Sequence, residues 1–334
     1  MPKAIRIHQH GGPEVLKWEE VDPGPPGPGE ALVRHEAVGL NYIDVYHRTG
    51  LYPLPALPAT PGLEAAGVVA ETGEGVTAVA VGDRVAYAGV PPGAYAEIRR
   101  IPAHRLVKLP AEIPALQAAA MMLQGMTARY LLKGCWQVGP GTTLLIHAAA
   151  GGVGLIACQW ARHLGATVIG TVGSPEKAEL AHAHGCRHPI VYTKEDFAAR
   201  VKEITGGRGV DVVYDSVGQA TFMKSLDCLR PMGMLVSFGQ SSGPMPPFDM
   251  SLLAQKGSLF LTRPTLMTYT ARREDLLAHA RDLFEAVQSG AVVGLTPSFE
   301  SGVLEAQGHV VGPDARRAEA MAAPSEILHP GVPQ

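Results

Sequence analysis

The chain has little of what marks disulfide-bonded, metal-rich or nucleic-acid-binding proteins. It has four cysteines in 334 residues. None of them forms a Cys-x-x-Cys pair, so neither a disulfide framework nor a cysteine-rich zinc site is expected. Its 28 Lys and Arg against 31 Asp and Glu give a net charge of −3 without any basic block. Nucleic acid is therefore not expected as a partner, because such binding depends on neutralising phosphates.

Long apolar runs are also missing from the sequence. No stretch of about 18 apolar residues is present, so no membrane-spanning helix is expected. The N-terminal sequence MPKAIRIHQHGGPE has no apolar core of the kind found in secretory signals. These two absences predict a cytoplasmic protein with no membrane partner. A length of 334 residues, with 46% hydrophobic and 18% charged residues, predicts two compact domains.

The first part of the chain has the pattern of short strands separated by turns. Its β-like runs are ALVRHEAV, GVVAETG, DRVAYAG and AYAEIRR. Gly-rich turn segments stand between them. We therefore predict a β-rich domain over residues 1–125.

From about residue 126 the pattern changes to strands that alternate with helices. Six apolar runs carry it: TLLIHA, ATVIGTV, HPIVY, VDVVYDSV, GMLVSFG and SLFLT. This alternation predicts an α/β fold with a doubly wound, six-stranded parallel sheet over residues 126–263. The helical pattern after about residue 264 is predicted to return the chain to the first domain over 264–334. From about residue 298 the sequence shows little periodicity.

A glycine-rich turn follows the first of these strands. The stretch HAAAGGVG, residues 147–154, contains Ala149, Gly151 and Gly154 in small-x-Gly-x-x-Gly spacing and opens a helical pattern. A side chain at Gly151 would obstruct a phosphate, and one at Gly154 would separate the helix from the strand. The helix N-terminus favours an anion. The turn therefore predicts a dinucleotide site, although many strand–helix turns contain glycine for structural reasons alone.

The end of the second predicted strand bears on which dinucleotide binds. NAD sites usually carry an acidic residue there, whereas this strand ends in GTVGSPEK, residues 170–177. Ser174 fits an N-cap, and Lys177 falls in the first helical turn. One interpretation is that Gly173, Ser174, Lys177 and Tyr192 receive the 2′-phosphate of NADPH. The other interpretation is that Lys177 is a solvated surface residue. The acidic Glu176 beside it weighs against the phosphate-binding interpretation.

Several motifs together resemble those of one enzyme family. They are HGGPEVL (10–16), GLNYIDVYHRTGLYP (39–53), PGLEAAGVV (61–69), GDRV (82–85), HAAAGGVG, YDSVG (214–218), VSFGQSSG (236–243) and TRP (262–264). Over residues 1 to about 297 the chain is similar to the medium-chain dehydrogenase/reductase superfamily. Within it, the motifs resemble the zinc-free quinone oxidoreductases of the zeta-crystallin type. The resemblance implies a GroES-like first domain and a Rossmann second domain.

Zinc members of this superfamily carry a Cys and a His at two positions that differ here. Those positions hold Asn41 and Leu63, and no cysteine lies between Gly82 and Leu109 for a structural zinc. A catalytic zinc needs at least three good N, S or O donors, so we expect no metal. Glu64 remains, and we interpret it as a buried structural acid rather than a catalytic one.

The resemblance implies an NADPH-dependent reaction that passes a hydride or electrons to a quinone in the interdomain cleft. The residues that it places at the chemistry are Asn41, Asp44, Tyr46 and Tyr52. Tyr46 and Tyr52 are alternatively structural loop aromatics. The further cofactor contacts that it implies are Tyr42, Ile43, Tyr130, Gly152, Val153, Ser216, Phe238, Gly239, Gln240, Ser241, Pro264, Thr265 and Leu266. It also implies a homodimer that pairs the strands near residues 258–262.

Two other functions remain open from the sequence. The same fold and cofactor would serve to reduce an activated C=C bond in an enal, enone or enoyl thioester, given a proton donor such as Tyr52. The other alternative is a non-catalytic protein that binds NADPH or associates with RNA. The low basic content of the chain argues against RNA.

Overall fold

The computed structural model describes residues 1–293 and the two residues 310–311. This described chain forms two compact units, Met1–Leu123 and Gln124–Val293. The helix over Arg273–Gln288 belongs to the second unit, so the return to the first unit does not begin at about residue 264. An ion pair from Arg129 Nε to Asp282 Oδ2, at 3.0 Å, is one contact that holds this helix there. Val310 and Val311 do pair with a strand of the first unit.

The first unit is built from antiparallel strands and two short helices. Its strands are β1 (Lys3–Arg6), β2 (Lys17–Glu20), β3 (Glu30–Gly39), β4 (Glu64–Thr72), β5 (Arg84–Ala88), β6 (Ile98–Pro102) and β7 (Val107–Lys108). Its helices are α1 (Tyr42–Thr49) and α2 (Ala115–Ala119). Strand β3 pairs with β4 and β6, β4 with β5, β5 with β7, and β1 with β2. Alternating burial along β3 turns Ala31 and Val33 into the core, as expected for a sheet with one covered face.

The second unit holds a six-stranded parallel sheet. Its strands are β8 (Thr143–Ile146), β9 (Thr167–Val172), β10 (His188–Val191), β11 (Val210–Asp215), β12 (Leu229–Ser237) and β13 (Phe260–Thr262). They lie in the order β10-β9-β8-β11-β12-β13, which is that of doubly wound dinucleotide-binding sheets. The predicted α/β class and six-stranded parallel sheet are thereby confirmed.

The other helices lie before, between and after these strands, and the first of them begins in the first unit at Met122. They are α3 (Met122–Tyr130), α4 (Gly152–His163), α5 (Pro175–Ala183), α6 (Phe197–Ile204), α7 (Phe222–Leu226), α8 (Ser251–Gln255), α9 (Leu266–Tyr269) and α10 (Arg273–Gln288). Helix α4 begins at Gly152 as its apolar spacing predicts, and Gly165, at φ +84°, follows its end. Within residues 1–293 and 310–311, we find no helix with the length and apolar character needed to cross a membrane.

One further strand, β14 (Val310–Val311), pairs antiparallel with Val38 and Gly39 of β3. The rest of the segment predicted to be atypical from about residue 298 lies outside the described residues.

The carboxyl ends of β8, β9, β11 and β12 lie at one edge of the parallel sheet, because parallel strands all end at the same edge. The loops that follow these ends carry most of the cofactor-binding residues predicted for the second unit. In an open α/β sheet, ligands bind at this edge where the strand order reverses, which here is between β8 and β11.

Candidate active site

The glycine-rich turn connects β8 to α4 through a tightly fixed backbone. The Ala149 N–H donates to the carbonyl of Thr171 at 3.0 Å, and the Gly151 N–H donates to that of Ala148 at 2.9 Å. Ala148 itself adopts a left-handed conformation with φ +54°. Gly151 is the N-cap of α4, and no side chain in the described part of the chain caps this helix. The N-terminal amides of α4 are thus left to an anion or water.

The three glycines of this turn have different surroundings. A Cβ at Gly154 would lie 2.4 Å from the Ala148 carbonyl oxygen, and one at Gly152 would lie 2.2 Å from Oε1 of Gln124. At Gly151 a Cβ would meet nothing closer than the Ala148 oxygen at 3.2 Å. Gly154 therefore lets α4 pack on the turn. Gly151, the N-cap of α4, is the least crowded of the three glycines.

His147, at the start of the same motif, is a structural residue that the sequence did not reveal. Its Nδ1 lies 2.8 Å from Oγ1 of Thr171, and its Nε2 lies 2.8 Å from Oγ of Ser225. Burial lowers the pKa of His147, so the ring is neutral at pH 7. This imidazole connects the end of β8 to β9 and α7 directly before the glycine turn. No pattern in the sequence indicated these partners.

The predicted 2′-phosphate residues lie together at the ends of β9 and β10. Ser174 caps α5, and its Oγ accepts from the Lys177 N–H at 3.3 Å. The hydroxyl oxygen of Tyr192 would lie 3.3 Å from a Cβ at Gly173. Lys177 is exposed in the first turn of α5. Glu176 beside it is also exposed, and hydrogen bonding from Ser174 lowers its pKa.

Two further loops are joined at the ends of β11 and β12. The buried Asp215 accepts hydrogen bonds from the N–H groups of Val217 and Gly218, at 2.8 and 3.0 Å, and so shapes the loop that carries Ser216. The Ser241 N–H donates to the carbonyl of Ser216 at 3.2 Å. The structure therefore brings Ser216 together with the loop formed by Phe238, Gly239, Gln240 and Ser241.

Arg263 fixes this second loop from the end of β13. Its guanidinium donates to the carbonyl oxygens of Ser237 and Gly239, at 3.1 and 2.8 Å, and to Oε1 of Gln240 at 3.2 Å. The sequence did not indicate this anchoring function. Pro264 and the next two predicted contacts follow Arg263: Thr265 is the N-cap of α9, and Leu266 is buried.

Tyr130 is almost fully buried at the end of α3. Its ring stacks on that of Tyr269, with centroids 4.7 Å apart and an angle of 11° between the planes. Burial raises the pKa of Tyr130, which keeps the phenol protonated.

In the first unit, Asn41 lies at the centre of a buried polar cluster. Its backbone N–H donates to Oδ2 of Asp44 at 2.9 Å, and its side-chain Nδ2 donates to Oε2 of Glu64 at 2.7 Å. The other oxygen of Glu64 accepts from the Leu123 N–H at 2.8 Å, at the N-terminus of α3. Gly39 makes this packing possible, since a Cβ there would lie 2.3 Å from Oε2 of Glu64.

Asp44 is held by a residue that the sequence did not indicate. The Tyr95 hydroxyl donates to Oδ2 of Asp44 at 2.7 Å, while Oδ1 is buried without a hydrogen-bond partner among the described residues. Burial raises the pKa of Asp44 to about 7 and that of Glu64 to about 8. The cluster therefore holds two carboxyl groups that do not ionise fully at neutral pH.

Three tyrosines from α1 and the next loop form an aromatic row. The ring centroids of Tyr42 and Tyr46 are 5.2 Å apart, and those of Tyr46 and Tyr52 are 5.0 Å apart, both in edge-on geometry. Tyr42 is 42% exposed, whereas Tyr46 is buried. Ile43 is half-buried on the same helix. The structure thus gathers every residue predicted for the first unit in one helix and its flanking loops.

The metal-ligand positions of zinc relatives are filled by a hydrogen-bonding amide and a buried apolar side chain. Asn41 donates to Glu64, and Leu63 is fully buried. In the described residues, no three His, Cys, Asp or Glu side chains come together in a group that could hold a metal ion.

Two family models match the chain, one in each unit. The alcohol dehydrogenase GroES-like domain matches residues 27–111, and the zinc-binding dehydrogenase domain matches residues 152–282.

Several known proteins are similar to the chain over most of its length. The quinone oxidoreductase of Pseudomonas aeruginosa is 51% identical over 292 residues, which cover 87% of this chain and 90% of that protein. The 2-haloacrylate reductase of a Burkholderia species is 50% identical, with 87% of this chain and 90% of that protein covered. The structure of Escherichia coli quinone oxidoreductase complexed with NADPH superposes with a TM-score of 0.85 at 49% identity, covering 87% of this chain and 89% of that one. Together with the sheet order and the glycine turn, these similarities show that the chain belongs to the quinone oxidoreductase family of the medium-chain dehydrogenase/reductase superfamily.

Proposed function

We propose that this protein is an NADPH-dependent quinone reductase. The observation that carries the proposal is the turn at Gly151, where the missing side chain leaves space before the uncapped N-terminus of α4. The proposal is supported by relatives at 49–51% identity that are named quinone oxidoreductases, one of them solved with NADPH.

The residues of the second unit fit NADPH from its pyrophosphate to its 2′-phosphate. Gly151, Gly152, Val153 and Gly154 would receive the pyrophosphate through their backbone. Ser174, Lys177 and Tyr192, beside Gly173, would receive the 2′-phosphate, since a cation and two hydroxyls lie where an NAD site would carry an acid. Further contacts would come from the joined loops and from the segment after β13: Tyr130, Ser216, Phe238, Gly239, Gln240, Ser241, Pro264, Thr265 and Leu266.

The first unit would supply the groups that meet the nicotinamide and the acceptor. Bound NADPH supplies a hydride, and the protein orients the acceptor and excludes water from it. Asn41 is held by Glu64 and Asp44, so its amide is fixed in advance of binding. The rings of Tyr42 and Tyr52 would offer flat aromatic surface to a planar quinone, with the buried Tyr46 packed edge-on to both and Ile43 on the same helix.

We further propose that this reaction needs no zinc. A quinone is already electron-poor, so it accepts a hydride without a Lewis acid, unlike an alcohol that must lose its hydroxyl proton. Asn41 and Leu63 fill the two ligand positions, and an apolar Leu63 side chain cannot ligate a metal.

We also propose that two copies associate through the edge of the parallel sheet. Strand β13 is the terminal strand of that sheet in the described structure, and Phe260 on it is 55% exposed. Met232, 61% exposed, and Trp136 line an open groove of about 470 Å³ beside Phe260. An exposed strand edge with an apolar rim fits a second copy in antiparallel pairing. Sedimentation should give a dimer for the native chain and a monomer for Phe260→Glu.

A second candidate function is the reduction of an activated C=C bond. The 2-haloacrylate reductase at 50% identity favours it, because that enzyme is similar over the same share of this chain. The fold and cofactor would be unchanged, but a proton would have to reach the α-carbon.

Steady-state oxidation of NADPH tests both functions. The purified chain would be offered 1,4-benzoquinone, a cyclic enone and 2-chloroacrylate, each with NADPH and with NADH. A kcat/KM at least about tenfold higher for the quinone than for the other two supports quinone reduction. The opposite ranking supports the second candidate. Tight NADPH binding without turnover of any acceptor contradicts both, and a salt-sensitive RNA titration would then test the non-catalytic alternative.

A further inference from the structure

The strand order of the parallel sheet divides the proposed cofactor path into two halves. Ser174 and Lys177, the residues proposed for the 2′-phosphate, follow β9, on one side of the reversal between β8 and β11. A dinucleotide lies across such a reversal. With its adenosine half beside β9 and its pyrophosphate at the turn around Gly151, NADPH would extend its nicotinamide half over the ends of β11, β12 and β13.

The segment that follows β13 depends on tertiary contacts for its shape. Pro264 and Thr265 lead into α9, which spans only Leu266–Tyr269. A helix this short is not stable by itself, because its nucleation costs more than one turn of hydrogen bonds returns. Leu266 is buried at the start of α9. The packing of Tyr269 at its other end therefore decides whether the segment keeps one conformation.

Tyr269 packs against the residues at the end of α3 and just after it. Its ring stacks on that of Tyr130, with centroids 4.7 Å apart and an angle of 11° between the planes. A Cβ at Gly134 would lie 2.9 Å from Cε1 of Tyr269, so the ring lies directly against this glycine. The Tyr269 hydroxyl oxygen lies 3.3 Å from Sγ of Cys135. Because stacking depends on ring orientation, these contacts fix how Tyr269 and Tyr130 face each other.

The surface that receives Tyr269 is a π-helical turn. This turn, Leu131–Cys135, directly follows α3. The hydroxyl of the fully buried Tyr214 on β11 donates to the Leu131 carbonyl at 2.8 Å, which fixes the turn to the sheet. π-helical turns are rare and occur frequently at functional sites. Here the turn places its last two residues against the ring of Tyr269.

Tyr130 connects this stack to the loop at the end of β12. Arg263 lies close enough to Tyr130 to act on its hydroxyl electrostatically, and Tyr130 itself is buried. The Arg263 guanidinium also donates to the carbonyl oxygens of Ser237 and Gly239. Tyr269 therefore stacks on a residue that lies beside two of the segments proposed to contact the nicotinamide half.

Helix α10 supports Tyr269 as well. The ring of His279 meets that of Tyr269 edge-on, with centroids 6.3 Å apart. The orientation of His279 is itself fixed, because its Nδ1 lies 2.8 Å from the Asp275 carbonyl oxygen and its Nε2 lies 3.2 Å from Nη1 of Arg129. Tyr269 thus joins α3, α9 and α10 within the second unit.

We propose that Tyr269 is a positioning residue for the nicotinamide half of NADPH. It acts through its neighbours: it fixes the ring of Tyr130, and it holds α9 so that residues 264–266 have their binding conformation before the cofactor arrives. This inference rests on the proposed NADPH-dependent function. A segment that is ordered in advance loses less conformational freedom on binding, so removal of the Tyr269 ring weakens the binding of NADPH.

Calorimetric titrations with NADPH and with adenosine 2′,5′-bisphosphate test the proposal, because the second ligand has the adenosine half of NADPH and lacks the nicotinamide half. Tyr269→Leu should raise the Kd for NADPH about tenfold. It should leave the Kd for adenosine 2′,5′-bisphosphate within about twofold of the native value, since that ligand binds on the other side of the strand reversal. An equal loss for both ligands would show a merely structural role, and a native Kd for NADPH would show no role. Either result would overturn the proposal.

Two further variants separate the stacked ring from other causes. Tyr269→Phe keeps the ring and loses the hydroxyl, so it should bind NADPH within about twofold of the native Kd. A loss as large as that of Tyr269→Leu would contradict the assignment to stacking. Phe248→Leu is the matched control, since it removes a half-buried ring that packs 5.0 Å from the ring of Phe222, and it should leave both Kd values unchanged. If Tyr269→Leu does not bind adenosine 2′,5′-bisphosphate, Tyr269→Met takes its place in the same comparison.

Hydrogen exchange without any ligand keeps the inference separate from the proposed function. The peptide over residues 264–270 should exchange at least about tenfold faster in Tyr269→Leu than in the native chain, because α9 opens more often. Tyr269→Phe should exchange at the native rate. If the native chain does not bind NADPH, the proposed function fails, and the inference fails with it. If the native chain binds NADPH but the exchange of this peptide is unchanged in Tyr269→Leu, only the inference fails.

Discussion

The two candidate sites of this molecule, the glycine turn and the carboxyl cluster, are formed by different parts of the chain: backbone in one and side chains in the other. The glycine turn of the second unit is shaped by backbone and by missing side chains, with Gly151 and Gly154 one helical turn apart. The carboxyl cluster of the first unit is made of side chains from α1, β4 and the loop with Tyr95, which are far apart in sequence. The first kind of site should be sensitive to added atoms, whereas the second should be sensitive to charge and protonation. This difference predicts distinct responses to substitution.

The largest effect is expected where a side chain would enter the backbone of the turn. Gly154→Ala places its Cβ 2.4 Å from the Ala148 carbonyl oxygen, so α4 must shift. We expect a loss of about 3 kcal/mol in the free energy of unfolding. NADPH binding should weaken at least about 100-fold. Urea denaturation and fluorescence titration with NADPH measure the two effects.

Gly139→Ala is the matched control for this substitution, because no atom lies within 4 Å of the Cβ position there. It should change both quantities little. Equal effects of the two substitutions would show that Gly154 is not required for close packing.

The first unit should instead be sensitive to acid through a buried histidine. His35 Nδ1 lies 2.6 Å from the Ala96 carbonyl, Nε2 lies 3.0 Å from the Tyr87 hydroxyl, and burial lowers its pKa to about 4. The folded pKa is below the unfolded value of 6.5, so this stabilisation is present above pH 6.5 and is lost as the pH falls to 4. The loss should approach about 3 kcal/mol.

Hydrogen exchange of peptides from β3 and β6, measured from pH 7 to pH 4, reports the stability of this unit locally. His35→Gln should flatten the dependence, while His163→Gln, an exposed change in the second unit, should leave it as it is. An unchanged slope in His35→Gln would assign the acid sensitivity to other groups.

Gly151→Ala should sharpen the comparison, because it should weaken NADPH binding while leaving the stability of the fold nearly unchanged. Its Cβ would lie 3.2 Å from the Ala148 oxygen, and its φ of −82° suits any residue. The free energy of unfolding should change by less than about 1 kcal/mol. The Kd for NADPH should rise about thirtyfold, because the methyl group occupies the space proposed for the pyrophosphate. Native-like NADPH affinity in Gly151→Ala would place the phosphate elsewhere.

The smallest effect is expected at an exposed charge. Lys177→Ala should raise the Kd for NADPH about tenfold and leave that for NADH unchanged, since only NADPH carries the 2′-phosphate. Lys202→Ala, on the exposed side of α6, is the control. Titrations of both nucleotides at two salt concentrations check this. An equal loss for NADH would contradict the proposed function of Lys177.

The same contrast explains which features the sequence could predict. The six strands, the start of α4 and the cap at Ser174 follow from apolar spacing and local residue preferences, and the structure has them. The resemblance to a family located Asn41 and Asp44. The partners Tyr95 and His147 stayed hidden, because a hydrogen bond between segments that are distant in sequence leaves no local pattern. The point at which the chain returns to the first unit could not be predicted for a similar reason: α10 has the same amphipathic pattern whichever unit it packs on.

The central claim is that this chain passes a hydride from NADPH to a quinone without a metal ion. A single-turnover experiment tests it most directly: chelator-treated protein of measured zinc content, loaded with NADPH, is mixed anaerobically with one equivalent of 1,4-benzoquinone. We predict one hydroquinone and one NADP⁺ per NADPH at a rate that chelation does not change. NADPH that stays reduced, or turnover that returns only when stoichiometric zinc is restored, would contradict the claim.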